Sequence, residues 1–128
     1  MNINPHLNIG DVLTRPKCLG IIEHCGVLVG HDTVLHNTPG KGEHLATVRE
    51  FSGGAPVKVR RTGANPSGVW ARCQKILSAP KAYDPLERNC EHTTNEVAHG
   101  EAKSPQIVGV ALLVIALIGG GFLLARSR

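Results

Sequence analysis

The 128-residue chain reads as an α+β domain followed by one membrane-spanning helix. Three observations carry that reading. The first half holds short Val- and Ile-rich runs bounded by Gly, Pro, Asn and Asp, the signature of strands and turns. From Asn65 onward the apolar residues recur at helical spacing between an Asn-type start and a Gly stop. Residues 106–125 carry no charge at all. Strands followed by segregated helices define the α+β class.

The elements follow in order. Asp11-Val12-Leu13, after Gly10, is a short first strand. Leu19 to Val29 is a stronger one that stops at Gly30-His31-Asp32, and Thr33 to Asn37 is its partner, ended by Thr38-Pro39-Gly40. Thr47–Phe51 and Val57–Arg61 are two further strands flanking the turn cluster Ser52-Gly53-Gly54-Ala55-Pro56. Asn65-Pro66 begins a helix, with Pro suited to the first turn. Trp70, Cys73, Ile76 and Leu77 fall on one face of it, and Pro80 ends the pattern. Asn89 to His99 is a second helix with Gly100 as its stop, and Thr94, Val97 and Ala98 share the inward side with Cys90. Phe51, Trp70 and Tyr83 are the aromatics ahead of the apolar tail, so the core must rest mainly on Val, Leu and Ile.

The domain therefore spans 1–100, with a linker at 101–105, a transmembrane anchor at 106–125 and a basic tail at 126–128. Twenty helical residues rise about 30 Å, the thickness of the hydrocarbon core. Arg126 and Arg128 are placed to snorkel into headgroups. Met1–His6 shows no basic segment leading into an apolar one, so no signal peptide is read there. The domain is accordingly expected on the cytoplasmic side, with Cys18, Cys25, Cys73 and Cys90 as free thiols. Net charge is +4, which favours an anionic lipid surface. Aromatics make up only 3% and no recognition motif is present, so nucleic acid is not expected as a partner. No CxxC, HxxxH or HxH pair occurs, so neither a metal nor another cofactor is expected.

Cys90 follows Asn89 at the start of a helix, where the helix dipole and unpaired N–H groups favour a thiolate. A nucleophile needs a base, and His24 and His36 are the candidates. In a strand Ile22, His24, Gly26 and Leu28 share one face. A three-residue loop at Gly30-His31-Asp32 sets Val29 opposite Thr33 and His36 opposite Gly26, on the face of His24. A two-residue loop would turn His36 to the other face. Gly26 leaves space between the rings for substrate or for Cys90, and the Asn89–His99 helix is expected across this face. Cys90 is then the nucleophile, its backbone N–H an oxyanion donor, His24 the general base and His36 the orienting group. A buried cysteine in a first helical turn is also a common structural residue. His31, His44 and His99 read as surface or satisfied residues; His92 reads as an exposed first-turn residue, with a ligand or a site wall as the alternatives.

These residues carry a resemblance. Asn89-Cys90-Glu91-His92 is similar to the NCEH box of the lecithin:retinol acyltransferase family, which includes small phospholipase/acyltransferases. Glu23-His24-Cys25-Gly26-Val27-Leu28-Val29-Gly30, with Val34-Leu35-His36 twelve residues from His to His, resembles its second box. Tyr83 also falls where relatives often carry Tyr. The resemblance implies an antiparallel sheet with packed helices, a circularly permuted relative of NlpC/P60 and papain-like enzymes. It implies attack of Cys90 on a phospholipid ester, with the acyl group passing from the Cys90 thioester to water, an amine or an alcohol. Thr93 stands where relatives usually have Phe, and Cys25 where they often have an aromatic. These positions, with Gly26 and Tyr83, are expected at the substrate cleft, so acyl-chain and acceptor preference do not carry over. A cysteine peptidase or amidase using the same three residues, and a non-catalytic membrane-associated interaction protein, are the competing expectations.

Overall fold

A computed structural model of the chain describes residues 6–17 and 20–100. It is an α+β fold, a five-stranded antiparallel sheet with three packed helices. The strands are β1 (Val12–Lys17), β2 (Ile22–Gly30), β3 (Thr33–Thr38), β4 (Gly42–Ala46) and β5 (Lys58–Arg60), in the spatial order β4-β3-β2-β1-β5. The helices are α1 (Val48–Ser52), α2 (Pro66–Ser78) and α3 (Cys90–His99). The linker, anchor and basic tail expected over 101–128, like Cys18, lie outside the described residues. Among the described residues no helix is long and apolar enough to cross a membrane.

The hairpin between β2 and β3 reaches the expected register by an unexpected route. Gly30 pairs with Thr33, so the loop is His31-Asp32, two residues rather than three. A regular ladder from that loop would turn His36 away from His24. A bulge between the Leu28↔Val34 and Gly30↔Thr33 pairs absorbs Val29, and Gly26 faces His36 after all. Asp32 holds the left-handed φ of 52° that Asp tolerates better than most residues, and its Oδ1 accepts from the Val48 N–H at 3.1 Å.

Two elements differ from the sequence reading. Gly42–Ala46 pairs with β3 as a strand. Residues 48–52 form helix α1 in place of the strand expected at Thr47–Phe51. The reason is local: the Thr47 hydroxyl accepts from the Glu50 N–H at 3.1 Å, and Gly53 closes the helix at φ 56°. An N-cap and a C-cap enclosing five residues outweigh the β preference of Val48 and Phe51.

Helix α2 starts as expected, with Asn65 Oδ1 accepting from the Ser67 N–H at 3.0 Å and Pro66 in its first turn. Its inward stripe is Val69, Cys73 and Ile76; Trp70, read on one face with Cys73 and Ile76, is 46% exposed. Arg72 on α2 donates from Nε to the Val97 carbonyl at 2.7 Å, tying α2 to the end of α3.

The sheet carries a separate apolar cluster on each face. Val12, Cys25, Val27, Val29 and Leu35 pack with Val69, Cys73 and Ile76 of α2 and with Cys90, Val97 and Ala98 of α3. Leu13, Leu28 and Val34 pack with Phe51 of α1. Alternation along β2 places His24 with the second set, so α3 covers the opposite face from the one expected.

Candidate active site

His24 and Cys90 nevertheless meet, because β2 and β3 separate beside them. The β2–β3 ladder ends at Gly26↔His36, whereas β1–β2 continues to Lys17↔Ile22. The start of α3 stands at this parting. Asn37, one residue past the last pair, donates from Nδ2 to the Arg88 carbonyl at 2.8 Å and to Thr93 Oγ1 at 3.2 Å. Cys90 lies there beside Cys25 and His24, and the Cys25 thiol, the Cys25 backbone N–H and the His24 ring all act on its sulfur. A backbone donor left without a ladder partner thus serves the Cys90 sulfur.

The Cys90 thiol is pulled from 9.0 down to about 4. The hydrogen bond from Cys25 is the largest cause, and burial opposes it; the His24 hydrogen bond, the Cys25 N–H and the charge of His24 add to the lowering. Cys25 moves the opposite way, well above the ordinary thiol range, because its proton is held toward Cys90 and the site is buried. Cys90 is therefore the thiolate of the pair and Cys25 its donor, consistent with the place of Cys90 at a helix N-terminus. Cys73 is a different case: burial raises it to about 11, leaving it a structural thiol in the core.

His24 Nε2 lies 2.9 Å from His36 Nδ1, with both residues buried. His36 is lowered from 6.5 to about 3, first by burial and then by the charges of His44, His24, Arg15 and Lys41. A neutral His36 accepts at Nδ1 from the His24 Nε2–H, which leaves His24 Nδ1 for Cys90. His36 Nε2 is buried without a hydrogen-bond partner among the described residues.

The space beside Gly26 is not open. The Phe51 ring stacks on His24 with centroids 5.3 Å apart and meets His36 edge-on at 5.5 Å. A Cβ at Gly26 would lie 2.7 Å from Val34 Cγ1 and 3.0 Å from Phe51 Cε2. Gly26 is thus the cradle for a packed aromatic ring, which Arg15 steadies by donating from Nε to the Phe51 carbonyl at 2.7 Å.

The Cys90 segment is fixed by two devices. In the first, Asn89 Oδ1 accepts from the N–H groups of Glu91 and His92, and His92 Nδ1 accepts from the Asn89 N–H at 3.0 Å. This is a capping box closed by His92, a residue read from sequence as an exposed position. Burial and the Arg88 charge lower the His92 pKa, keeping Nδ1 an acceptor.

The second device is buried Glu43 on β4. Its Oε1 accepts from Arg88 Nε at 2.6 Å and from the Thr93 hydroxyl at 2.8 Å, and its Oε2 accepts from the Lys81 N–H at 2.8 Å. Arg88 also pairs with Glu96. Thr93 is fully buried in this network and braces α3 internally. Tyr83 is half-buried in the segment between α2 and α3.

Cys90, His24 and His36 are the sequence candidates that the fold unites. Phe51, Cys25, Glu43 and His44, whose ring centroid lies 4.4 Å from that of His36, complete the surroundings. Only Cys25 carried a sequence signal, its place beside His24. Among the described residues no group of His, Cys, Asp or Glu is arranged to hold a metal ion. Compared with known proteins, the chain matches no family model and has no significant match among curated sequences.

Proposed function

We propose that the chain is a membrane-anchored cysteine acyltransferase or phospholipase resembling the lecithin:retinol acyltransferase family, with a domain of the permuted NlpC/P60, papain-like kind. One observation supports this above the others: His24, which helps to lower the Cys90 thiol, lies 2.9 Å from a neutral His36. A nucleophile, a base and a group fixing the base's tautomer then stand in sequence.

In this reading Cys90 sulfur attacks the ester carbonyl of a phospholipid. The C=O electron pair moves to oxygen, where the Cys90 backbone N–H at the helix start is the expected donor. As the carbonyl re-forms, the C–O bond to the glycerol breaks, and the departing lysophospholipid takes its proton from His24. Water, an amine or an alcohol loses a proton to His24, attacks the thioester and frees Cys90. Cys90 is 2% exposed, which protects the thiolate from bulk water. Entry of an acyl ester to so buried a sulfur requires the packing around the first turn of α3 to open. The apolar run at 106–125 would hold the domain at a membrane and raise the effective concentration of lipid.

The test is incubation of the full chain, and of Cys90→Ala, with phospholipid vesicles. Lysophospholipid release and an acyl adduct on Cys90 are expected from the unmutated chain alone. Equal turnover by both proteins overturns the reading.

A further inference from the structure

We infer that Cys25 and Cys90 form a reversible disulfide when a hydroperoxide reaches the site, making Cys25 the resolving partner of the reactive thiol. The inference does not depend on Cys90 acting on lipid.

The geometry has three parts. Cys25 on β2 and Cys90 on α3 belong to one packed cluster, at 6% and 2% exposure, and both are free thiols. Each thiol is the foremost electrostatic partner of the other, which places the two sulfurs side by side in that cluster. The backbone on each side is also held: Cys25 by the β1 ladder at Thr14↔Cys25, and Cys90 by the Asn89–His92 capping box. A disulfide needs its two Cβ atoms within about 4.5 Å and its sulfurs in direct contact, and a thiol–thiolate hydrogen bond is one short step from that arrangement.

The electronic state suits the chemistry as well. Cys90, with its lowered pKa, is the sulfur that oxidises first. Its thiolate attacks one peroxide oxygen and the O–O bond breaks. Sulfur is oxidised by two electrons to the sulfenic acid, and the other oxygen leaves and is protonated to water or an alcohol. Cys25 then gives up its proton and its sulfur attacks Cys90 sulfur. The S–S bond forms, the S–O bond breaks, and hydroxide leaves with the Cys25 proton as water.

Cys25 is held protonated first by its hydrogen bond to Cys90, then by burial, and then by the Cys90 charge. Oxidation of Cys90 to the neutral sulfenic acid removes that charge, so one of the restraints on the resolving thiol is lifted by the first step. Cys73 does not compete, since burial raises it to about 11 in the core under α2. The oxidised state ties α3 to β2 and withholds the nucleophile, and an external thiol restores it.

The experiment treats the full chain at neutral pH with hydrogen peroxide, blocks remaining thiols with an alkylator, and cleaves after glutamate. Cleavage after Glu23 separates Cys18 from Cys25, and cleavage after Glu87 and Glu91 isolates Cys90. The expected product is peptide 24–43 joined to peptide 88–91, lighter than their sum by two hydrogens and parted by dithiothreitol. Cys25→Ser should lose that product and carry Cys90 on to sulfinic acid. Three outcomes overturn the inference in the unmutated chain: Cys90 sulfinic acid with Cys25 still open to the alkylator, Cys90 joined to Cys18, or no loss of Cys90 alkylation under excess peroxide.

Discussion

His36 Nδ1 stands 2.9 Å from His24 Nε2, and it is the neutrality of His36 that makes this contact useful. A protonated His36 would present a donor at Nδ1 and force His24 into the other tautomer. Burial, ahead of the surrounding charges, prevents that by lowering His36 to about 3.

This arrangement has a consequence for stability. The folded chain binds the His36 proton only near pH 3, whereas the unfolded chain binds it near 6.5. Between those values the unfolded state holds more protons, so stability falls as pH drops from 6.5 toward 3. The contribution is at most about 1.4 kcal/mol per pH unit. Denaturant unfolding across that range should show a steeper pH slope for the unmutated chain than for His36→Gln. Equal slopes would mean that His36 titrates normally.

Cys90 should alkylate as a thiolate. Its rate with a small alkylator is expected to stay level across the neutral range and to decline only toward pH about 4. Cys25→Ala removes the largest stabilising hydrogen bond and should move that midpoint upward, while Cys25→Ser keeps a donor and should move it less. A midpoint near 9.0 in the unmutated chain would show an ordinary thiol.

Gly26→Ala should disturb both imidazoles without touching either. The new methyl group would come within 2.7 Å of Val34 Cγ1 and 3.0 Å of Phe51 Cε2. Overpacking of this kind costs about 1–3 kcal/mol. The Phe51 ring must shift, and with it the stack on His24. Thermal unfolding reads the first effect and His24 imidazole chemical shifts the second; unchanged shifts would separate Phe51 from the site.

Glu43→Ala removes the acceptor of Arg88, Thr93 and the Lys81 N–H in one step. Breaking a buried ion pair from one side costs about 3–5 kcal/mol, and the remaining pair with Glu96 places this case at the lower end. Glu43→Gln keeps acceptor capacity and should lose less. Urea midpoints of the two variants give the comparison, and a Glu43→Ala loss below that of an exposed control would remove Glu43 from the scaffold.

Much of the architecture was legible because its signals are local. Asn65-Pro66, Asn89 and Gly100 each satisfy or release backbone groups within a few residues, and all three bound helices as read. Helix α1 carried an equally local signal in Thr47 and Glu50, but the apolar content of 47–51 led to a strand reading. The strand at 42–46 was obscured by Gly42 and by Glu43, whose charge suggests solvent until Arg88 is brought beside it.

The sequence by itself determined the α+β order of elements, the caps that start α2 and α3, and the candidate set Cys90, His24 and His36. These follow from composition, alternation and contacts a few residues apart. Only the tertiary structure decided that a bulge at Val29 restores the face of His36, and that α3 covers the Cys25 side. It also decided that the parting of β2 from β3 lets Cys90 reach both Cys25 and His24. Such features depend on how segments distant in the chain share one buried volume, and no local preference specifies that.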